Sequence, residues 1–183
     1  MAAKKKEAHV REQENVFISD ADMYVFGQGT HYDIYKKLGA HPCVKDGIAG
    51  TFFGVWAPHA TAVYVLGKCN ECAEDVTTME KLGDIGIYAI FVPGAKCGDM
   101  YKFLIHTADG RKLYKADPYA NHAELRPGTA SVIADITKMK WTDSAWMEER
   151  AQKDVFKEPM AVYECHIGSF LKHPDGTEDG FYN

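Results

Sequence analysis

The sequence predicts a mainly β protein: an antiparallel sandwich behind two short helices, then a linker helix and the opening strand of a second domain. Three observations carry this. From residue 50 onward short apolar runs recur, each closed by turn residues, with starts about a dozen residues apart, slightly wider than the usual sandwich spacing. Aromatic residues make up 12% of the chain, with ten Tyr and nine Phe, which suits a β-rich core or a ligand-stacking surface. Residues 160–167 (MAVYECHI) are apolar on nearly every position, the pattern of a strand covered on both faces in a parallel sheet.

Taken in order, residues 1–18 are polar and lack periodicity at their start, and read as a mobile arm. Ser19 followed by Asp22 has capping-box spacing, so a helix begins there and breaks at Gly27 and Gly29. Thr30 with Asp33, Ile34 with Leu38, and Gly39 as a C-cap predict a second helix over 30–38. The sandwich strands are expected at 51–57 (closed by Pro58), 62–66 (closed by Gly67), 87–92 (closed by Pro93-Gly94) and 101–107 (closed by Asp109-Gly110), with a weak one over 130–136. The insertion 68–84 holds one further weak strand near 76–79. Period-2 alternation is clearest in 101–107: Tyr101, Phe103 and Ile105 take one face, and Lys102 and His106 the other, with Leu104 between them. Thr142 or Asp143 can cap a helix running to Gln152. Trp56 is assigned to the core, and Trp141 and Trp146 anchor the linker helix on the sandwich or on the remainder of the second domain.

Composition excludes several function classes. With 46% hydrophobic residues the chain can build a core and is not disordered as a whole. No apolar run approaches the roughly 20 residues of a membrane span. A net charge of −5 argues against general nucleic-acid binding, and the basic cluster Lys4-Lys5-Lys6 is short and terminal. Polar residues after that cluster take the place of a secretory h-region, so the five cysteines are expected as free thiols in a reducing cytoplasm. No Gly-rich phosphate loop, no Gly-x-Ser-x-Gly elbow and no ligand-spaced histidines stand in the sequence. Cys69-x-x-Cys72 has no second pair to complete a four-ligand zinc site, and Glu164 has no partner carboxylate for glycoside chemistry. No catalytic residue, metal or cofactor is expected.

Six motifs in order then carry a resemblance. They are Leu38-Gly39-Ala40-His41, Phe53-Gly54-Val55-Trp56-Ala57-Pro58-His59-Ala60, Phe91-Val92-Pro93-Gly94 with Tyr101-Lys102-Phe103, Lys115-Ala116-Asp117-Pro118-Tyr119-Ala120, Leu125-Arg126-Pro127-Gly128-Thr129-Ala130-Ser131, and Val162-Tyr163-Glu164-Cys165-His166-Ile167-Gly168-Ser169-Phe170. Together, from about Tyr24 to Asn183, they resemble the N-terminal part of the 1,4-α-glucan branching enzymes of the α-amylase superfamily. The resemblance implies an immunoglobulin-like family-48 carbohydrate-binding module over 41–137, after an N-terminal helical segment at 19–40. A linker helix at 138–158 and the first strand and loop of a truncated (β/α)8 catalytic barrel at 159–183 would follow. The family's catalytic Asp and Glu come from later barrel strands, so this chain is expected to be inactive alone. Its expected partners are α-glucan (glycogen) and the missing barrel, with no nucleic acid and no membrane.

The resemblance also implies site residues. Lys102 matches a lysine that contacts glucan in related modules; read from the residues alone it is a solvated lysine on the polar face of a strand. Tyr88 stands where the family often carries an aromatic, and either stacks on sugar or packs. Cys69 and Cys72 stand where the family has Phe and a sugar-stacking Trp, and a thiol cannot cover a pyranose face, so glucan binding is expected to be weak at most. A free-standing glycogen-binding or regulatory module is the alternative to a branching-enzyme fragment.

Overall fold

Alternation decides which side of each strand faces the core, and two sheets result. A computed structural model describes residues 15–138, 140–154 and 156–166. Helix α1 (Asp20–Gly27) and a 3-10 turn (Ile34–Lys36) precede strands β1 (Gly39–Lys45), β2 (Ile48–Trp56) and β3 (Ala60–Gly67). A 3-10 turn (Lys68–Asn70) leads to β4 (Glu80–Leu82), β5 (Ile87–Pro93), β6 (Met100–Thr107), β7 (Lys112–Lys115), β8 (His122–Ala123) and β9 (Ser131–Val132). The first sheet has the order β1-β2-β5-β4, and the second β3-β6-β9-β8 with β7 also on β6. The named strand pairs are all antiparallel. The protein is therefore a β-sandwich. Its core takes Phe53 and Val55 from β2, Val63 and Val65 from β3, Tyr88 and Val92 from β5 and Tyr101 and Phe103 from β6, with edge-to-face ring contacts from Tyr101 to Phe53 at 5.1 Å and to Phe103 at 5.8 Å.

The capping box at α1 forms: Ser19 Oγ accepts from the Asp22 amide at 3.2 Å and Asp22 Oδ2 accepts from the Ser19 amide at 2.8 Å. Asp22 also meets His31 Nε2 at 2.9 Å and Lys37 Nζ at 3.6 Å. Burial pushes its carboxyl up, but these hydrogen bonds and the lysine charge outweigh that and hold it far below the usual range.

The helix expected over 30–38 shrinks to one 3-10 turn. Asp33 makes no side-chain cap, the run His-Tyr-Asp-Ile-Tyr has poor helix propensity, and so short a helix is costly to nucleate. Ile34 and Leu38 nevertheless reach one patch with Ile87, flanked by Ile18, Phe26 and Leu82. Gly39 ends the turn at φ +109, where a Cβ would lie 3.0 Å from the Tyr119 carbonyl; a side chain would be strained and crowded there.

Other differences have local causes. Strand β1 was not expected because it carries Gly39 and Pro42; it lies at a sheet edge, where proline is tolerated. The weak strand near 76–79 leaves only an isolated bridge of Thr78 to Tyr64, and regular pairing starts at Glu80. The arm expected over 1–18 ends sooner: Phe17 packs edge-on against Phe52 at 5.1 Å and Ile18 joins the Leu38 patch. Residues 1–14 lie outside the described residues.

The chain falls into two units, Met1–Met139 and Lys140–Asn183. The second contains α2 (Ser144–Gln152), where Arg150 lies over the Trp146 ring at 5.3 Å. Trp141 and Trp146 are both largely exposed. Met160–His166 form no strand; a parallel strand exists only through a paired neighbour. Ile167 and the loop expected after it lie outside the described residues.

Candidate functional site

The outward face of β6 gathers the chemistry. Because Tyr101, Phe103 and Ile105 point into the core, Lys102, Leu104 and His106 point away from it. On that face Lys102 is opposite Leu66 of β3. Leu104 stands between Tyr64 of β3 and Tyr114 of β7, and His106 between Ala62 and Lys112. Leu104 is 0% exposed although it faces outward, being flanked by two tyrosines. Tyr64 and His106 rings lie 5.0 Å apart.

Lys102 Nζ donates to Thr129 Oγ1 at 2.6 Å. Thr129 is held two residues before Ser131, which pairs with Tyr101. Beneath them Tyr101 Oη donates to Asp117 Oδ2 at 2.5 Å, the Asp117 amide donates to Ser131 Oγ at 2.9 Å, and the Tyr119 amide donates to Asp117 Oδ1 at 2.8 Å. Burial raises the Asp117 carboxyl more than these donors lower it. Burial, and then the adjacent Asp117 charge, raise the Tyr101 hydroxyl far above its usual range. This buried knot fixes β6, which presents Lys102, beside the segment that carries Thr129 into β9.

Tyr88 is elsewhere. It is 3% exposed in the core, and its hydroxyl donates to the Ala60 carbonyl at 2.8 Å, so its ring faces protein on both sides of the sandwich interior. Trp56 departs from its core assignment: it is 51% exposed, its indole N–H donates to the Ile85 carbonyl at 2.9 Å, and its ring meets Phe26 edge-on at 5.8 Å. Alternation puts Val55 inward and Trp56 outward at the end of β2.

The stretch after β3 is organised by Asn70, whose Oδ1 accepts from the Gly67 amide at 3.0 Å and whose Nδ2 donates to Val65 O at 2.8 Å and Thr77 Oγ1 at 2.9 Å. Cys72 is exposed at φ +58. No metal-holding cluster stands among the described residues. Glu164 lies in the exposed 160–166 stretch.

Sequence reasoning missed Tyr114, which is 49% exposed on the same face as Lys102. Two signals were present: Asp109-Gly110, a hairpin turn dipeptide, and the alternation Lys112-Leu113-Tyr114-Lys115 after it. On the first sheet a hollow of about 140 Å³ is lined by Phe17, Lys45, Phe52, Glu80 and Phe91. That is small beside the several hundred Å³ of an ordinary ligand pocket.

Two antiparallel sheets, one with a polar and partly aromatic outer face, make a β-sandwich, and the comparisons with known proteins say of which class. Residues 37–120 match the family described as carbohydrate-binding module 48 (isoamylase N-terminal domain). The 1,4-alpha-glucan branching enzyme GlgB of Butyrivibrio fibrisolvens is 57% identical over 169 residues, 92% of this chain and 26% of the relative. That of Nitratidesulfovibrio vulgaris (strain DP4) is 47% identical over 163 residues, 88% and 26%. The crystal structure of apo pullulanase from Paenibacillus barengoltzii superposes with a TM-score of 0.53 at 21% identity over 82% of this chain and 24% of that one, a likeness of fold.

The chain corresponds to the N-terminal, module-48 region of the branching enzymes. It spans about a quarter of the length of the curated relatives it matches. Among the described residues no helix is long and apolar enough to cross a membrane.

Proposed function

We propose that this chain is the α-glucan-binding, non-catalytic portion of a glycogen branching enzyme, and that glucan lies on the β3–β6–β7 face across Lys102 and Tyr114. The observation that carries the reading is their placement. Lys102 and Tyr114 occupy neighbouring strands on one face, diagonal in register, a separation of about 7–8 Å that long and aromatic side chains span. A tyrosine ring offers an apolar plate for a pyranose face, and the Lys102 ammonium, already hydrogen-bonded to Thr129, offers donors to sugar hydroxyls. Tyr114 thus supplies the aromatic surface that Cys72 does not. Of the two residues that the resemblance implies, Lys102 fits this role and Tyr88 serves packing.

In the same reading the sandwich is immunoglobulin-like, the stretch from Met160 becomes the first strand of a (β/α)8 barrel once barrel neighbours pair with it, and the setting is cytoplasmic. The complete enzyme would cut an α-1,4-glucan and rejoin it as an α-1,6 branch. Retaining chemistry of that kind needs two carboxylates about 5 Å apart, and Glu164 stands without one in this chain's sequence pattern.

The test is titration of the 183-residue chain with maltoheptaose. Lys102→Ala and Tyr114→Ala are each expected to weaken binding about tenfold, or about 1.4 kcal/mol, the scale of a lost ring contact or a lost charged hydrogen bond, while Tyr88→Phe leaves it unchanged. Wild-type affinity in both Lys102→Ala and Tyr114→Ala refutes the face. Loss of amylose–iodine colour on incubation with the purified chain refutes its inactivity.

A further inference from the structure

The loop between the 3-10 turn and β4 crosses toward this same face. It is firmly rooted and lightly held at its tip. At the root, Asn70 bonds Val65, Gly67 and Thr77, the Cys72 amide donates to Gly67 O at 2.9 Å and the Met79 amide to Val63 O at 2.8 Å. At the tip stand two carboxylates. Lys112 Nζ donates to Glu74 Oε2 at 2.9 Å and Asp75 Oδ2 at 2.8 Å, the Tyr114 hydroxyl donates to Glu74, and His106 Nε2 lies 2.9 Å from Asp75 Oδ1. Along the loop Glu71, Cys72 and Asp75 adopt left-handed φ values of 52°, 58° and 60°, conformations that non-glycine residues hold only when contacts around them insist.

We propose that the Glu74–Asp75 turn is a latch: it holds the Tyr114 hydroxyl and the Lys112 ammonium when no sugar is present, and it must swing off them for glucan to bind. This rests on the reading that Lys102 and Tyr114 form the glucan face. The groups held are donors, which are what a sugar hydroxyl needs, so loop and glucan compete for the same bonds. Exposed ion pairs of this kind contribute little stability, so the tip can release while the neutral bonds at Asn70 keep the root folded. The competitors also differ in charge. The latch is ionic and screened by salt; glucan is neutral and is not. Added salt therefore favours glucan.

The experiment compares the full chain with its Glu74→Gln/Asp75→Asn variant, using maltoheptaose as the probe at about 20 mM and about 500 mM NaCl, which brings the screening length to a few Å. The variant is expected to bind about three- to tenfold tighter at low salt, the equivalent of one or two exposed ion pairs. Wild-type affinity climbs toward it at high salt, and amides of residues 71–77 exchange faster in wild type once maltoheptaose is added. Equal or weaker binding by the variant, with Tyr114→Ala still damaging, overturns the latch and leaves the glucan face standing. Wild-type binding in both Tyr114→Ala and Lys102→Ala, or no binding by wild type and variant alike, overturns both.

Discussion

The two outer faces of the sandwich are covered in opposite ways. Over the first sheet lie Phe17, Ile18, α1 and the Ile34–Lys36 turn, and the contacts are apolar: Leu38 and Ile87 are fully buried. Over the second lies a charged loop tip, and the residues beneath it are mostly polar or aromatic. The difference teaches that burial of apolar area makes a lasting cover, whereas ion pairs between exposed groups make one that can be undone. A face meant to meet a ligand can afford only the second kind.

The sharpest way to break this contrast is Leu38→Ala. Removing a fully buried leucine from the first sheet's cover is expected to cost about 2–5 kcal/mol in urea unfolding; a loss well below that range would mean the cover is as loose as the loop on the other side. Next is Asp117→Ala, which strips the buried Tyr101 hydroxyl and Tyr119 amide of their acceptor and is expected to cost about 1–3 kcal/mol, with Asp117→Asn costing less. The sign of its pH dependence follows from the raised carboxyl. Asp117 adds stability below the ordinary 3.8 and loses it as pH rises through its higher folded value. Stability of Asp117→Asn relative to wild type is thus expected to improve from acid to neutral pH in parallel melts.

Ser19→Ala comes third, at about 1 kcal/mol for a lost N-cap. The Asp22 it partners works in the opposite sense to Asp117. Its depressed carboxyl contributes above the ordinary 3.8, and that contribution fades as pH falls through the folded value; a Ser19→Ala melt that shows the full acid sensitivity of wild type counts against the capping network. The smallest effect is Lys112→Ala, expected to leave the melting midpoint unchanged while amide exchange in residues 71–77 accelerates. A clear drop in midpoint would make the loop part of the structural frame.

The sandwich was legible where pattern and physics coincide. In β6 the alternation Tyr101, Phe103, Ile105 against Lys102, Leu104, His106 is the observed division of faces. Ser19 and Asp22 form the box that their spacing implies. Illegible elements are those stabilised from elsewhere. Strand β1, with Gly39 and Pro42, owes its form to pairing with β2, and Trp56 turned outward because a strand's last residue follows its parity rather than its hydrophobicity. The candidate site was half visible: Lys102 through the resemblance, but not Tyr114, whose short strand exists through its hairpin with β6. The charged tip was invisible, since Glu74 and Asp75 meet Lys112 only across 38 and 37 residues of chain.

Gly39 carries one more consequence. It lets the backbone near residue 39 touch the backbone at 119, so the segment matching module 48 begins and finishes at one spot. That contact ties the start of β1 in the first sheet to the stretch leading into β8 in the second, so a side chain at 39 would disturb both layers at once.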